Sequence, residues 1–445
     1  MPDIAETRHL LLDPRVVERA ENARLVPGRP AKDPRNPLFV EDRPWEVRFD
    51  NLYANVIFDE HDGIYKAWYS PFIMDEVTTG TPPVERKTRR YEPRAREMGV
   101  CYAVSRDGVA WEKPDLGIAW FGSSSRNNIV MRNVHGAGVF KDPADADPSR
   151  RYKAFVQGAA ALSPDGLHWS VLRCPEIGAP GDTHNNAFRD PRTGKFVGIT
   201  RLWDRGQRTV GRTESDDFIR WTPAVEVLRH AADEPERQTY AHLVFPYAGA
   251  YIALVMLLDT RTDLVDCELA WSADAVRWQR ICPGTPLIPR GPAGSFDCGC
   301  IYAAAYPIVR DDGILLYYGG GDDTHGSWRK GGFGLARLRP DGFAGIEPVS
   351  PGRAAMVVTR PARCTGPRLR VTADAAEGSL RVGVLDAEGL GIDQCERIVA
   401  DVTDAPVRWA TGDDLAALVD RDVRLAFELR AAVCGAPRLY AFRFT

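Results

Sequence analysis

A short hairpin motif, Ser-x-Asp-(Gly)-x-x-Trp, recurs along the first two thirds of the chain. Its copies begin at Ser105, Ser163, Ser215, Ser272 and, in a degenerate form, Arg339. The intervals of about 50 to 70 residues match the length of one four-stranded sheet with its loops. The repeat therefore predicts five blades of a β-propeller.

Each repeat holds two segments rich in β-branched and aromatic residues, separated by turn residues such as Asp and Gly. The predicted strand pairs are 51–58 with 64–70, 136–140 with 151–156, 185–188 with 195–200, 240–245 with 251–257, and 301–309 with 314–318. Third strands at 100–104 and 267–271 lead into the Ser-x-Asp hairpins.

The pattern changes near residue 351, where short segments of alternating polarity begin. They lie at 355–359, 368–372, 380–385, 407–409, 423–429 and 439–444, and they predict an antiparallel β-sandwich. We therefore predict an all-β chain in three parts: a wrapping segment (1–40), a five-bladed β-propeller (41–350) and a C-terminal β-sandwich (351–445). Within the first part we expect one short helix near 14–23.

Composition narrows the classes of partner. A net charge of −4 without a basic run argues against nucleic acid, and no apolar stretch reaches membrane-spanning length. Nine cysteines without paired spacing favour free thiols in a reducing compartment. The first residues do not look like a signal peptide, so we expect a cytoplasmic protein that needs no cofactor or metal. A homo-oligomer is compatible with the sequence.

Acidic residues stand at the starts of the inner strands, which converge at the centre of a propeller. Asp50 lies nine residues before the turn aspartate Asp59, and Asp182 lies eight residues before the turn aspartate Asp190. These similar offsets predict that Asp50 and Asp182 occupy equivalent positions and face the same central funnel.

Clustered carboxylates repel one another and are costly, so such a group suggests a function. Two carboxylates that flank a sugar can cleave a glycosidic bond: one attacks or stabilises the sugar carbon, and the other donates a proton. The predicted catalytic residues are Asp50, Asp182, Glu236 and Asp297. The predicted sugar-binding residues are Asn51, His184, Asn185, Arg237, Tyr240 and His325.

This layout resembles family 32 glycoside hydrolases and, more loosely, families 43, 68 and 130. The C-terminal stretches 378–389 and 423–427 are similar to that family's sandwich. The resemblance implies cleavage of a glycosidic bond in a fructofuranoside or another furanoside. It covers nearly the whole chain at the level of architecture, whereas its motifs match only in part.

The family's motifs map unevenly onto this sequence. Its nucleophile lies in a Trp-x-Asn-Asp-Pro-Asn-Gly motif entering blade 1, where Asp50 matches and only the Asp is retained. Its transition-state stabiliser lies in an Arg-Asp-Pro motif, which occurs here at Asp190. Because Asp190 sits in a turn between two strands, strand register makes Asp182 the better counterpart. The Glu-Cys-Pro motif of the acid is absent, and register places Gln238 or Tyr240 near that point, with Glu236 the nearest acid.

Two other functions stay open at this stage. A phosphorylase like those of family 130 would use one carboxylic acid and a basic pocket for phosphate, for which Arg48, Arg237 and His325 are available. A non-catalytic carbohydrate-binding propeller would explain the missing Glu-Cys-Pro motif. It would bind sugar without forming a product.

Overall fold

The computed structural model describes residues 8–86, 88–230, 234–385, 387–410, 412, 414–432 and 435–445. Strands dominate it, and the two α-helices are one turn long. The all-β class predicted from the sequence is confirmed. Among the described residues, no helix is long and apolar enough to span a membrane.

The N-terminal segment forms five short strands that pair with distant parts of the chain. They are β1 (Arg8–Leu10), β2 (Val17–Glu21), β3 (Ala23–Pro27), β4 (Ala31–Lys32) and β5 (Phe39–Val40). The helix expected near 14–23 is wrong, because β2 pairs with the later segment Ala355–Thr359 and β3 with Ala344–Pro348. Long-range pairing thus overrides a weak local preference. Residues 1–7 of the predicted wrapping segment lie outside the described residues.

Three antiparallel sheets follow in chain order. Unit one holds β6 (Arg48–Asp59), β7 (Ile64–Asp75), β8 (Arg96–Ser105), β9 (Trp111–Glu112) and β10 (Ile129–Arg132), with α1 (Glu76–Gly80) and α2 (Pro83–Arg86) between β7 and β8. Unit two holds β11 (Gly138–Lys141), β12 (Tyr152–Val156), β13 (Ala159–Ser163) and β14 (Ser170–Arg173). Unit three holds β15 (Asn186–Arg189), β16 (Phe196–Asp204), β17 (Gln207–Ser215) and β18 (Val225–Leu228). The 3₁₀ turns Pro148–Arg150 and Pro175–Ile177 lie in the connections.

Two further units share one extended sheet. Unit four holds β19 (Arg237–Tyr247), β20 (Ala250–Asp259), β21 (Leu264–Ser272) and β22 (Trp278–Ile281). Unit five holds β23 (Cys300–Ala303), β24 (Ile308–Arg310), β25 (Gly313–Gly321) and β26 (Gly331–Leu338). A single parallel bridge, Val265 with Cys300, joins the two, and β4 and β5 pair with the outer strand β26.

The inner strands bring the units together in chain order. Strand β11 of unit two contacts β6 of unit one. Strand β15 of unit three contacts β11 and β12, and β19 of unit four contacts β15, β16 and β17. Strand β23 of unit five contacts β20 and β21. Strand β6 of unit one in turn contacts β23, β25 and β26 of unit five. The order of contacts between the five units therefore closes on itself.

The remaining strands form two larger sheets and a two-stranded sheet around a separate apolar core. They are β27 (Ala344–Pro348), β28 (Ala355–Thr359), β29 (Ala362–Arg363), β30 (Leu369–Asp374), β31 (Gly378–Val384), β32 (Asp401–Pro406), β33 (Asp422–Val423), β34 (Leu425–Ala431) and β35 (Arg438–Phe444), with 3₁₀ turns at Ile392–Gln394 and Ala416–Leu418. The two-stranded sheet pairs β29 with β33. One larger sheet has the order β3-β27-β35-β30-β32 with β1 on β35, and the other has the order β2-β28-β34-β31. Val357, Val371, Phe427 and Phe442 are among the buried residues between them.

Four of the five Ser-x-Asp hairpins share one set of hydrogen bonds. In unit two, Asp165 Oδ1 accepts from the backbone N–H groups of Leu167 at 2.8 Å and His168 at 2.9 Å, and from Ser163 Oγ. Asp107, Asp217 and Asp274 accept equivalent bonds. These aspartates stabilise turns, which explains their recurrence without any role in catalysis. The fifth, degenerate copy, which begins at Arg339, does not share this set of hydrogen bonds.

Replacing Asp165 with Ala is expected to lower the free energy of unfolding at pH 7 by about 1 kcal/mol, because backbone donors lose their acceptor. Burial alone would raise the pKa of Asp165, but the hydrogen bonds lower it from 3.8 to about 2. The stabilisation is thus fully present above about pH 4 and is lost as the pH falls toward 2. Urea unfolding at several pH values measures the difference. An equal loss in Asp216→Ala, whose side chain is 84% exposed, would contradict this account.

Candidate functional site

The first strand of unit one begins with an irregular segment that carries Asp50, Asn51 and Tyr53. Leu52 and Tyr53 have positive φ angles of 62° and 43°, and the pairing of β6 with β7 shifts register on both sides of Leu52. Such conformations cost on the order of 1–3 kcal/mol each in non-glycine residues, and they cluster at functional sites. The buried Tyr53 hydroxyl accepts a hydrogen bond from Asn51, which helps to hold the segment.

Asp50 lies beside two buried guanidinium groups. Arg329 donates from Nη2 to Asp50 Oδ1 at 2.9 Å, and Arg48 Nη2 lies 3.6 Å from the same oxygen. The Arg329 side chain is fully buried, whereas that of Asp50 is 15% exposed. Burial alone would raise the pKa of Asp50, but the charges of Arg329 and Arg48 outweigh this effect, and the pKa is lowered. Asp50 is therefore ionised at neutral pH.

Asn51 links unit one to units four and five. Its Nδ2 donates to the hydroxyl of Tyr53 at 2.8 Å and to that of Tyr240 at 2.7 Å. Its Oδ1 accepts from Arg329 Nη2 at 2.5 Å. Both amide hydrogens are thus used within the protein, so Asn51 holds the surrounding side chains in place.

Asp182 lies at the start of unit three beside His135 and Arg201. His135 Nε2 is 3.0 Å from Asp182 Oδ1, and Arg201 Nη1 is 3.6 Å from Oδ2. The interaction with His135, together with the charge of Arg201, lowers the pKa of Asp182 to about 2 against the opposing effect of burial. About half of the side chain is exposed. Asp182 therefore presents an ionised carboxylate to solvent.

A continuous series of contacts joins Asp182 to Asp50. The guanidinium of Arg201 lies 4.5 Å from the ring centre of Tyr240 and donates to its backbone carbonyl. The Tyr240 hydroxyl accepts a hydrogen bond from Asn51. Asn51 and Asp50 in turn both accept from the guanidinium of Arg329. The similar offsets of the two aspartates in the sequence thus correspond to a shared neighbourhood.

The series closes on its other side through unit two. The ring of Tyr53 lies 5.4 Å from that of His135, and Tyr53 is bonded to Asn51. The charges of Asp182 and Asp50 both raise the pKa of Tyr53, although burial is the larger cause. We name this set the central cluster: Asp50, Asn51, Tyr53, His135, Asp182, Arg201, Tyr240 and Arg329.

Buried arginines around the central cluster have unused hydrogen-bond donors. Within the described chain, no partner is found for Arg48 Nε and Nη1, Arg201 Nε, Arg208 Nε or Arg329 Nη1. An unsatisfied buried donor costs about 1–3 kcal/mol. Among the described residues, three carboxylates act on these four guanidinium groups: Asp50, Asp182 and, on Arg48, Asp75, so the site has excess positive charge. Such a site favours an anion.

Two clefts reach the central cluster from solvent. One of about 470 Å³ is lined by Asp182, His135 and Arg96. The other, of about 540 Å³, is lined by Arg48 and Arg329, the arginines beside Asp50. Both volumes fall within the range of about 300–1,000 Å³ that is typical of ligand sites.

The structure does not bring Glu236 or Asp297 into the central cluster. Glu236 Oε1 lies 3.7 Å from Arg261 Nη1, and its side chain is 30% exposed. Asp297 is buried, and its Oδ2 accepts from Lys32 Nζ at 2.5 Å and from the Tyr318 hydroxyl at 2.9 Å. Because Lys32 belongs to β4 on the outer edge of unit five, Asp297 faces the rim of that unit.

Arg237 also lies outside the central cluster. Its Nη1 is 4.0 Å from Glu268 Oε1. The next residue, Gln238, instead accepts from Arg208 Nη1 at 2.6 Å. Since successive side chains of a strand point to opposite faces, Gln238 and Tyr240 lie toward the centre and Arg237 does not.

Three predicted sugar-binding residues next to the central cluster already have partners. Asn185 Nδ2 contacts the carbonyls of Gly136, Gly181 and Thr183, and its Oδ1 accepts from Thr200. His184 is buried, which lowers its pKa to about 3. Burial and the charge of Arg329 likewise lower the pKa of His325 to about 3, and its Nδ1 lies 2.7 Å from the Tyr302 hydroxyl. Both imidazoles are therefore neutral at pH 7.

Asp190 occupies the turn between β15 and β16, as strand register predicts. Its Oδ1 accepts from the Tyr251 hydroxyl at 2.6 Å and from the backbone N–H of Arg192 at 2.9 Å. The side chain is buried in this turn, so local structure accounts for the Arg-Asp-Pro sequence here.

Sequence reasoning missed most of the arginines. Arg201 and Arg208 lie where β16 ends and β17 begins, and Arg329 follows β25, whereas the residues predicted from the sequence stand at the starts of inner strands. The sequence holds one signal for Arg201. This arginine comes shortly after the apolar run 196–199, and a charged side chain beside a buried strand requires a partner. Among the described residues, no three His, Cys, Asp or Glu side chains are placed to hold a metal ion.

No protein-family model matches the sequence, and no curated protein matches it. An N-acetylgalactosamine deacetylase from F. plautii, solved with blood group B trisaccharide, is 14% identical over 72% of this chain and 96% of its own, with a TM-score of 0.46. An α-L-arabinofuranosidase from Podospora anserina is 12% identical over 71% and 98%, with a TM-score of 0.48. A β-1,2-mannobiose phosphorylase from Listeria innocua is 12% identical over 70% and 96%, with a TM-score of 0.46. Likenesses this distant do not identify an activity.

Proposed function

We propose that the five units are the blades of a propeller, that the C-terminal sheets form a sandwich, and that the chain cleaves a glycosidic bond at the central cluster. The observation that carries this proposal is the pair Asp50 and Asp182. These carboxylates come from separate units, are both ionised, and belong to one network of contacts, and Asp182 lines the cleft of about 470 Å³. Such an arrangement suits the positive charge that develops on a sugar during cleavage.

The two aspartates have different roles in this proposal. Asp182 is the more exposed and lines the cleft, so it stabilises the cationic sugar ring. Asp50 is held by Arg329 and acts as the nucleophile or as the base that activates water. A furanoside, and a fructofuranoside in particular, is the first substrate class to screen.

Neither aspartate is suited to donate the proton to the leaving oxygen, because both stay ionised at neutral pH. We assign this step to His135, which lines the same cleft and whose Nε2 lies 3.0 Å from Asp182. Imidazole is the side chain that most readily gives and takes a proton near pH 7. Glu236 and Asp297, the acids expected from the sequence, lie away from Asp182 beside Arg261 and Lys32.

Phosphorolysis is the second candidate, and the arginines favour it. Arg48 and Arg329 line the cleft of about 540 Å³, and both have buried nitrogens without a partner in the described chain. A phosphate bound there would pair with these guanidinium groups and would replace water as the attacking group. In that reaction Asp50 would hold the two arginines in place and would not form a bond to the sugar.

A panel of aryl furanosides, fructans and β-linked oligosaccharides, incubated with and without inorganic phosphate, separates these candidates. We expect product from at least one substrate and at least a 100-fold loss in Asp50→Asn, in line with the loss of one catalytic group. Sugar 1-phosphate that forms only with phosphate present would assign phosphorolysis. Saturable sugar binding without product, retained in Asp50→Asn, would overturn glycosidic cleavage and leave a binding protein.

A further inference from the structure

We propose that the cleft of about 470 Å³ between units one and two binds an anionic sugar residue of the substrate, one that carries a carboxylate or a sulfate. This inference rests on the proposed function, because it places the acidic residue next to the bond that is cleaved. The cleft begins at Asp182 and His135 and runs outward along both units. Its charges, its apolar surface and its position support the assignment.

The cationic side chains of this cleft are not neutralised. Arg96 at the start of β8 and Arg173 at the end of β14 both line it, and neither forms an ion pair with any described residue. Arg94 also lines it and lies 3.9 Å from Glu76. Guanidinium groups bind carboxylates and sulfates through paired N–H donors, so two free ones on facing units suit an anion.

The acidic residues of the same cleft already have partners. Glu97 accepts from Arg132 Nη2 at 2.6 Å and from its Nε at 2.7 Å. Asp182 is matched by His135 and Arg201. The charge left unbalanced is therefore positive, and it lies on Arg96 and Arg173, away from the carboxylate that would face the reacting carbon.

An apolar floor gives the cleft a surface for sugar rings. Phe72, Met98, Val134 and Val156 contribute to its lining. The guanidinium of Arg96 lies 4.6 Å from the ring centre of Phe72, so that it forms a flat cationic platform over an aromatic face. Sugars pack their C–H faces on such surfaces, and a cleft of about 470 Å³ accommodates more than a single small anion.

Arg96 also connects this cleft with Asp50. Its charge contributes to the lowered pKa of Asp50, although Arg329 and Arg48 contribute more. An anionic group bound at Arg96 would neutralise this charge, whereas a neutral sugar would leave it unbalanced. The cleft is therefore suited to an acidic sugar adjacent to the reacting one.

The test is a binding experiment that does not depend on turnover. Purified protein is applied to an array of oligosaccharides in which uronate-containing and sulfated members have neutral counterparts, the uronates being matched by their methyl esters. We expect at least one acidic member to bind tenfold or more tightly than its neutral counterpart at low salt. Preference for uronates assigns a carboxylate, and preference for sulfated members assigns a sulfate.

Variants locate the binding in the cleft. Arg96→Gln and Arg173→Gln are each expected to weaken acidic binding about fivefold or more and to affect neutral binding much less, and both side chains lie at the surface. Arg126→Gln, which changes an arginine that is 85% exposed in unit one, serves as the matched control. The proposal would be overturned if the acidic and neutral members of every pair bound equally. It would also be overturned if Arg96→Gln and Arg173→Gln left the binding of acidic oligosaccharides unchanged.

The outcomes also separate this proposal from glycosidic cleavage. If acidic oligosaccharides bind through Arg96 and Arg173 but none of them is cleaved, the result supports the subsite and contradicts the proposed activity. Cleavage of neutral substrates without any preference for acidic ones supports the activity and contradicts the subsite.

Discussion

Asp182→Asn is expected to lower kcat/KM on any substrate found in the panel by about 10³-fold while the fold is retained. The carboxylate is ionised, half exposed, and next to His135 in the cleft. An amide of the same shape would keep the packing but would remove the negative charge that stabilises the developing sugar cation. It would also remove the charge that orients His135. Initial rates with matched circular dichroism spectra measure the effect.

Asp190→Asn is the matched control, because the Arg-Asp-Pro sequence makes Asp190 the rival candidate. Its carboxylate accepts from Tyr251 and from the backbone of Arg192 in a turn, so we expect lower stability but a rate within about threefold of the unmodified protein. An inactive Asp190→Asn beside a fully active Asp182→Asn would show that strand register identified the wrong aspartate.

Arg329→Met is expected to lower the free energy of unfolding by about 3 kcal/mol, the usual cost of leaving a buried charge without its partner. Arg329 is fully buried, pairs with Asp50 and also donates to Asn51. Its loss would leave Asp50 with one ion-pair partner among the described residues, Arg48 at 3.6 Å. Urea unfolding followed by tryptophan fluorescence measures the change.

Arg126→Met provides the comparison for this second prediction. Arg126 pairs with Asp115 at 3.2 Å on the surface, where such pairs contribute about 0–1 kcal/mol. We also expect Asp50→Asn combined with Arg329→Met to be more stable than Arg329→Met alone, since the unpaired charge is gone. Equal losses in Arg329→Met and Arg126→Met would contradict the view that Arg329 supports the central cluster.

Local sequence signals predicted most of the inner strands and one important relation. The turn aspartates Asp59 and Asp190 fixed the register of two inner strands, and that register placed Asp50 and Asp182 in equivalent positions. Both belong to the central cluster. Turn chemistry and strand alternation act over a few residues, so they can be recognised without a structure.

Contacts between distant segments could not be recognised in the same way. Asp297 pairs with Lys32, which lies 265 residues earlier in the chain, and this contact turns a predicted catalytic acid into a rim residue. Strand β2 similarly forms because its partner β28 comes from the far end of the chain. Nothing local to either segment carries that information.

The guanidinium groups were the main omission within the site. Arg201 and Arg329 come from a strand end and a loop in different units, and their importance depends on a geometry that only the folded chain displays. They change the chemistry of the site, because Arg329 lowers the pKa of Asp50 and Arg201, after His135, lowers the pKa of Asp182. The proton donor must then be sought elsewhere, and His135 is the residue that the geometry favours.

The crystal structure of Asp182→Asn soaked with a cleaved substrate from the panel tests the central claim most directly. We expect sugar in the cleft of about 470 Å³, with its reacting carbon between residue 182 and Asp50 and a leaving-group oxygen within hydrogen-bond distance of His135 Nε2. Sugar bound away from the central cluster, with no contact to residue 182, Asp50 or His135, would contradict the claim that these units build one catalytic site.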